Sequence, residues 1–421
     1  MSLDDDARAE LKQLEAIGRL RVPRVVGHRD GPKIALDGAN VLDFASNDYL
    51  SLATDRRVVA AAKLALEEHG VGAAASRLIT GNHRLHVALE EAVGEWLRVG
   101  AVRSFGSGYA ANVGTLGALL GPDDVVFSDE LNHASIIDGC RLARAQVVVY
   151  PHGDLGFLDG KLRERTGRRR LIASESLFSM DGDLADVAEL SRLAKVHGVA
   201  LMLDEAHAVG ARGPEGRGVA AAVGVVPDLL VGTCGKALGT SGAFVATTSA
   251  IAKLLWNRAR SLVFSTATPP AIAAATIAAI EIVRGGEGDE RRRDLAARAE
   301  QLRARVRISD VGSAVRGFEG DSSTRGELGG AGLGGVADGS IAPLLIGDDR
   351  RVMEISARLL ERRIFVQGIR YPTVPEATAR LRISVNAGHR AEDVEMLAIA
   401  LDDALSHGRH DAAAWANPSS I

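Results

Sequence analysis

The chain has 421 residues, 46% hydrophobic and 25% charged, and its 50 Lys and Arg against 54 Asp and Glu leave a formal net charge of −4. That balance supplies no basic footprint for nucleic acid or an anionic membrane, and the length is enough to bury one large core and a smaller one. The cysteines, Cys140 and Cys234, form no CxxC pattern, so neither a disulfide framework nor a bound metal is expected.

The opening Met1-Ser2-Leu3-Asp4-Asp5-Asp6 is acidic and leads into no apolar signal-like run, and no later run has membrane-spanning length. A cytoplasmic location without membrane contact is the expectation. Residues 11–20 read as a short amphipathic helix, followed by breaks at Pro23 and Gly31-Pro32 and the extended Val41-Leu42-Asp43-Phe44. This N-terminal arm, residues 1–50, is too small to be a domain. Thr54-Asp55 opens a helix that ends at Gly70, where a left-handed cap is expected. The small-residue loop Gly70-Val71-Gly72-Ala73-Ala74-Ala75-Ser76-Arg77 follows, open to a ligand or a partner chain.

From Ala101 short apolar runs alternate with helical stretches. The runs are Val125-Val126-Phe127, residues 146–150, Leu171-Ile172-Ala173, residues 200–203 and Leu229-Leu230-Val231. The alternation predicts a large α/β domain over residues 51–285, its mostly parallel sheet covered by helices on both faces. Pro269-Pro270 starts a long helix, and Gly285-Gly286 marks the expected boundary. Residues 286–410 read as a smaller α+β C-terminal domain, with strands at 341–346, 365–369 and 380–385 and helices at 351–363 and from Glu392. Its segment 318–340 is rich in Gly, Ser and Asp, which predicts a flexible insertion, and residues 411–421 are a tail.

Ligands in parallel sheets sit beyond the carboxyl ends of the strands, and several polar groups fall there. Ser107-Gly108-Tyr109 opens a helix after Arg103-Ser104-Phe105 and is suited to a phosphate. Asn132-His133-Ala134-Ser135 and Ser179 follow two further runs. Asp204-Glu205-Ala206-His207 ends another. This last string also occurs as the magnesium-holding segment of helicase-type ATPases. That reading needs a GxxxxGK[ST] loop, and here Leu230 replaces the first glycine and Ala237 follows the lysine. In Thr233-Cys234-Gly235-Lys236, a lone lysine between glycines ends a buried run, placed to bond an aldehyde; Gly239, Ser241 and Gly242 after it would let the backbone approach a flat ligand. A phosphate cradle, a flat partner at His133, an acid at Asp204, hydrogen-bonders at Ser179 and His207, and Thr233 with Lys236 together are what pyridoxal phosphate requires.

The chain resembles the α-oxoamine synthases, pyridoxal phosphate enzymes of fold type I. The motifs that carry the resemblance are Asp43-Phe44-Ala45-Ser46-Asn47-Asp48-Tyr49-Leu50, Leu131-Asn132-His133-Ala134-Ser135, Phe178-Ser179-Met180-Asp181-Gly182, Asp204-Glu205-Ala206-His207, Thr233-Cys234-Gly235-Lys236, Phe264-Ser265-Thr266-Ala267-Thr268-Pro269-Pro270 and Arg370-Tyr371-Pro372-Thr373-Val374-Pro375. The resemblance implies condensation of an amino acid with an acyl-CoA or acyl-carrier-protein thioester and loss of CO2. Alanine and a pimeloyl thioester are favoured, glycine- or serine-using members are the alternative, and an inactive regulatory subunit is the distant one. It implies that Lys236 carries the cofactor, Asp204 faces its pyridine nitrogen and His133 stacks on the ring. Ser179 and His207 would touch ring substituents, and Gly108, Tyr109 and Thr233 the phosphate. Arg382 would grip the amino acid carboxylate, Arg21 and Thr373 the acyl substrate or product, with Asn47 a further substrate contact. Thr266 would reach the phosphate of a second subunit, which implies a homodimer. Two segments depart from the family pattern near the expected site: Gly72-Ala73-Ala74-Ala75-Ser76 and Glu175-Ser176 both stand where glycine is common.

Overall fold

The computed structural model describes residues 2–308 and 340–406. The predicted insertion over residues 318–340, apart from Ser340, and the tail 411–421 lie outside these described residues. The chain divides into two compact units, one of Met1–Ser46, Met180–Gly182 and Ala296–Ile421, the other of Asn47–Ser179 and Asp183–Leu295.

The smaller unit begins with a helix, Leu3–Ala16, that starts well before the predicted residue 11. Ser2 and Asp5 form a reciprocal capping box, and Asp4, Asp5 and Asp6 place negative charge in the first turn. The acidic opening is thus a helix start. Three strands follow: β1 (Val26–Asp30), β2 (Lys33–Leu36) and β3 (Ala39–Asp43). They form an antiparallel meander, so this segment supplies most of a sheet where only an arm was expected.

The larger unit holds β4 (Ala101–Phe105), β5 (Val125–Asp129), β6 (Gln146–Tyr150), β7 (Arg170–Glu175), β8 (Ala200–Asp204), β9 (Leu229–Thr233) and β10 (Ala243–Thr247). Their order across the sheet is β4-β10-β9-β8-β7-β5-β6. Pairings from β6 to β9 are parallel, whereas β10 runs antiparallel to both β9 and β4. Six strands therefore point one way and their carboxyl ends share one edge. Side chains alternate between two cores: Val126, Leu171, Ala173 and Met202 face one, Val125, Phe127, Ile172, Leu201 and Leu203 the other. A strand buried on both faces reads as a continuous apolar run, which is why most of this sheet was visible in the sequence.

The predicted helix after Asp55 is Arg56–His69, with the Asp55 carboxylate accepting from Arg57 N at 3.0 Å. Its end at Gly70 has φ 75° but ψ −174°, so the glycine takes a positive φ without the left-handed helical cap. The helix Pro270–Arg284 begins at the predicted proline. The next helix, Gly286–Ile308, contains the division between the units, which falls after Leu295, beyond the expected Gly285-Gly286.

In the smaller unit, β11 (Ile341–Gly347), β12 (Ile364–Phe365), β13 (Gln367–Ile369) and β14 (Ala379–Ser384) complete the strands. The stretch 365–369, predicted as one strand, divides at buried Val366: β12 adds parallel to β3, and β13 joins β11 and β14 in a separate antiparallel sheet. No helix among the described residues is long and apolar enough to cross a membrane.

Candidate active site

The predicted site residues of the larger unit collect at the carboxyl edge of its sheet. Asp204 ends β8 and is buried. Its Oδ1 accepts from Ala206 N at 2.9 Å, and its Oδ2 accepts from Asn112 Nδ2 at 2.7 Å. Asn112 lies on the helix Gly108–Leu119, and its amide also donates to Ser135 Oγ at 2.8 Å. One buried amide thus ties the helix after β4, the helix after β5 and the end of β8. Removing it would take the Asn112 donor from a buried carboxylate and leave the Ala206 N–H bond, at a cost of about 1–3 kcal/mol.

His133 caps the helix Ala134–Ala143, accepting from Ser135 N at 3.2 Å, and its Nδ1 lies 2.7 Å from Ser135 Oγ. Solvent reaches the ring, yet the protein around it removes enough water to lower its pKa. Asp204 pulls the other way and Lys236 adds to the lowering. The same imidazole therefore feels both the acid and the amine. Glu175, at the end of β7, is buried and sits in the same field: desolvation and Asp204 raise its pKa, while Lys236 and the backbone N–H groups of His133 and Ser179 oppose the rise.

Lys236 follows β9 in the turn that the sequence marked. Its Nζ is 2.7 Å from His207 Nε2, and His207 Nδ1 is 2.6 Å from Tyr49 Oη. Thr233 donates to Gly242 O at 3.1 Å and accepts from Gly235 N at 3.3 Å, fixing that turn. Gly239 is required by the packing of the chain. Its φ is +65°, and a Cβ there would stand 2.4 Å from Ala53 N, so the space is filled by the chain itself. Cys234 is buried and burial pushes its thiol up to about 12, which makes it packing rather than a nucleophile.

Ser107 caps the helix after β4, its Oγ accepting from Ala110 N at 3.1 Å. Tyr109 is 48% exposed and donates to Asp138 Oδ2 at 2.6 Å. Nothing among the described residues lies within 4 Å of a Cβ built at Gly106 or Gly108, so the space before this helix start is open. Ser179 is buried just beyond β7. Thr266 is exposed, its backbone paired with Ser76. Asn47 Oδ1 accepts from Tyr49 Oη at 3.2 Å.

Arg21, Thr373 and Arg382 belong to the smaller unit. Arg21 Nη2 donates to Thr373 Oγ1 at 3.3 Å and Tyr371 O at 3.5 Å, so the two predicted acyl contacts touch each other. Arg382, on β14, is buried with its Nη1 donating to Ser384 Oγ at 3.0 Å.

Glu205 explains the rest of the Asp-Glu-Ala-His string. It is fully buried, and its carboxylate accepts from Val219 N at 2.9 Å and Ala220 N at 2.8 Å. Desolvation, opposed by those N–H groups, holds its pKa up at about 7. A Cβ at Gly218 would fall 1.8 Å from its Oε2. Glu205 therefore anchors a short helix, and among the described residues no cluster of His, Cys, Asp or Glu is arranged to hold a metal ion. The sequence did not single out Asn112, Ser135, Tyr49 or Glu175 as site residues. For Asn112 a signal existed, a lone amide in a Gly- and Ala-rich helix, where a buried polar group demands a partner.

A profile of the family described as aminotransferase class I and II matches residues 39–401. The 8-amino-7-oxononanoate synthase of Pelobacter propionicus is 43% identical over 91% of this chain and 94% of its own length. That of Geobacter metallireducens is 42% identical over 95% and 97%. Among solved structures, the serine palmitoyltransferase of S. paucimobilis with bound PLP–myriocin aldimine superposes with a TM-score of 0.84 at 28% identity, covering 95% of this chain and 96% of that one. The chain belongs to the aminotransferase class I and II family. Within it, the chain is an α-oxoamine synthase, a pyridoxal phosphate-dependent acyltransferase of fold type I, as the sequence motifs implied.

The donor set fits that cofactor. A fixed carboxylate, an imidazole, hydroxyls, a lysine amine and an open helix start lie on one sheet edge, with His133 and Glu175 both in the field of Asp204 and Lys236.

Proposed function

We propose that the chain joins L-alanine to a pimeloyl thioester, carried by CoA or a carrier protein, with release of CO2 and the free thiol, giving 8-amino-7-oxononanoate for biotin biosynthesis. The observation that carries this reading is the 43% identity to an 8-amino-7-oxononanoate synthase over nearly the full length of both chains. The structural similarity to serine palmitoyltransferase, at a TM-score of 0.84, comes with only 28% identity, which favours a common scaffold over a common substrate.

Pyridoxal phosphate, when bound, supplies an electron sink for the carbanion at the amino acid Cα. Lys236 Nζ would hold the cofactor aldehyde and then carry the Cα proton. Its neighbour His207 Nε2, at 2.7 Å, is placed to share that proton. Asp204, held by Asn112 and Ala206, would keep the ring nitrogen protonated, and His133 would cover a ring face. Ser179 and His207 would bond ring substituents. Gly108, Tyr109 and Thr233 would receive the phosphate, where helix N–H groups favour an anion. Arg382 would hold the alanine carboxylate, which a planar guanidinium suits, and so orient the Cα–H bond. Arg21, Thr373 and Asn47 would contact the acyl partner. A homodimer with Thr266 contributing to the phosphate site of the second subunit completes the reading.

The test is a panel of alanine, glycine and serine against acetyl, pimeloyl and palmitoyl thioesters, following thiol release. Alanine with the pimeloyl thioester should exceed every other pair in kcat/KM by roughly 10-fold or more, the discrimination that about 1.4 kcal/mol of transition-state binding gives. Absence of turnover with that pair removes the proposal.

A further inference from the structure

Glu175 ends β7 and Asp204 ends β8, and the two stand opposite each other in the register of these neighbouring parallel strands. Such strands lie about 5 Å apart and residues two apart share a face, so both side chains leave the sheet on the side of Ala173 and Met202. Ile136 and Cys140 of the helix Ala134–Ala143 pack in that same core. Two carboxyl groups therefore sit side by side at the carboxyl edge, and both are buried, 2% and 6% exposed.

Their hydrogen bonding differs. Each oxygen of Asp204 accepts from an N–H group, Oδ1 from Ala206 N and Oδ2 from Asn112 Nδ2, and such donors favour the ionised form. Glu175 Oε1 is buried with no hydrogen-bond partner. Charging both groups would set two anions together where little water reaches, and Glu175 has the poorer means of holding a charge. The surrounding groups act in the same sense. Burial and then Asp204 raise the pKa of Glu175, and they outweigh Lys236 beyond β9 and the N–H groups of His133 and Ser179, which lower it. The His133 ring has its own pKa lowered, mainly by burial, and the Glu205 carboxylate is taken up by Val219 N and Ala220 N.

We propose that Glu175 and Asp204 carry one negative charge between them, with the proton on Glu175. Glu175 is then a neutral positioning residue. It leaves the charge on Asp204, the group read as facing the cofactor ring nitrogen, and its O–H is a donor inside the site. The proposal rests on that reading of Asp204, but not on which amino acid or acyl chain is used.

Infrared spectroscopy of the full-length, pyridoxal phosphate-loaded protein, labelled with carbon-13 at the glutamate carboxyl groups, tests this without turnover. At pH 7, where an ordinary glutamate is ionised, the spectrum should contain the carbonyl band of a protonated glutamate. That band should be diminished in Glu175→Gln and should persist in Glu205→Gln. Its absence from the unsubstituted protein overturns the proposal, whatever the variants do, and a band unchanged in Glu175→Gln does the same. In cofactor-free protein, Asp204→Asn should shift the loss of the band to lower pH, because one of the groups holding the proton on Glu175 is gone. An unchanged midpoint contradicts the pairing. Failure of the Asp204 reading would show separately, as an unchanged affinity of Asp204→Asn for pyridoxal phosphate.

Discussion

His152 stands between two carboxylates, with Nδ1 2.9 Å from Asp129 Oδ1 and Nε2 2.8 Å from Asp183 Oδ2, and with its ring edge-on to Phe178 at 4.4 Å. Desolvation alone would lower its pKa, but the two carboxylates outweigh it and raise the value to about 10. Asp129 also accepts from Leu131 N at 2.9 Å, in the segment that leads to His133. The cation therefore braces the turn beyond β5 against the chain that follows Ser179. Because the folded pKa lies above the unfolded value near 6.5, its stabilisation is complete below that value and is lost as pH rises toward 10. His152→Gln should cost about 1.5–3 kcal/mol at pH 6, the range for hydrogen bonds to charged groups, and the gap should narrow steadily by pH 10. Urea unfolding across that pH range reads it; a constant gap contradicts it. Nothing in the sequence marked His152, because its partners lie 23 and 31 residues away and no spacing rule connects them. The same holds for Asn112 with Asp204 and Tyr49 with His207, separated by 92 and 158 residues. Lys236, Asp204 and His133 were legible because each sits at a strand end, where a polar residue interrupts an apolar run.

Among the elements, the helix Gly108–Leu119 connects most directly to the site, since it offers its start to the proposed phosphate and its Asn112 to Asp204. Its Ser107 cap satisfies one N–H, leaving others for an anion. Ser107→Ala should lower stability by about 1 kcal/mol and Ser107→Gly by only a few tenths, measured by urea unfolding of the holoprotein. Equal losses in both would show that the hydroxyl is not capping. Elements were legible where apolar residues run together, as in β6, which is largely exposed yet reads Val147-Val148-Val149. β5, β7, β8 and β9 are apolar on both faces and stood out. β1 is almost entirely exposed and gave no pattern, and β10, though buried, follows a Gly-rich turn at Gly239 and Gly242 that reads as loop. The division of 365–369 into β12 and β13 was hidden because an apolar run does not record a change of sheet.

For the whole molecule, the composition constrained the class and the motifs constrained the chemistry, while the division into units was only approximately visible. Residues 1–46 belong with the C-terminal part rather than standing as a separate arm, since backbone pairing between β3 and β12 is a long-range event that local patterns do not encode. Oligomeric state belongs to this scale as well. The proposed homodimer predicts a sedimenting mass near twice 44.2 kDa, and Thr266→Ala should weaken pyridoxal phosphate binding without changing that mass. A monomer at all concentrations would remove the shared-site reading.

The most direct measurement for the central claim is chemical. Borohydride reduction of the pyridoxal phosphate-loaded protein, followed by peptide mass mapping, should place a single pyridoxyl label on the peptide containing Lys236, with none in Lys236→Ala. A label on another lysine, or no label on protein incubated with excess cofactor, would contradict it.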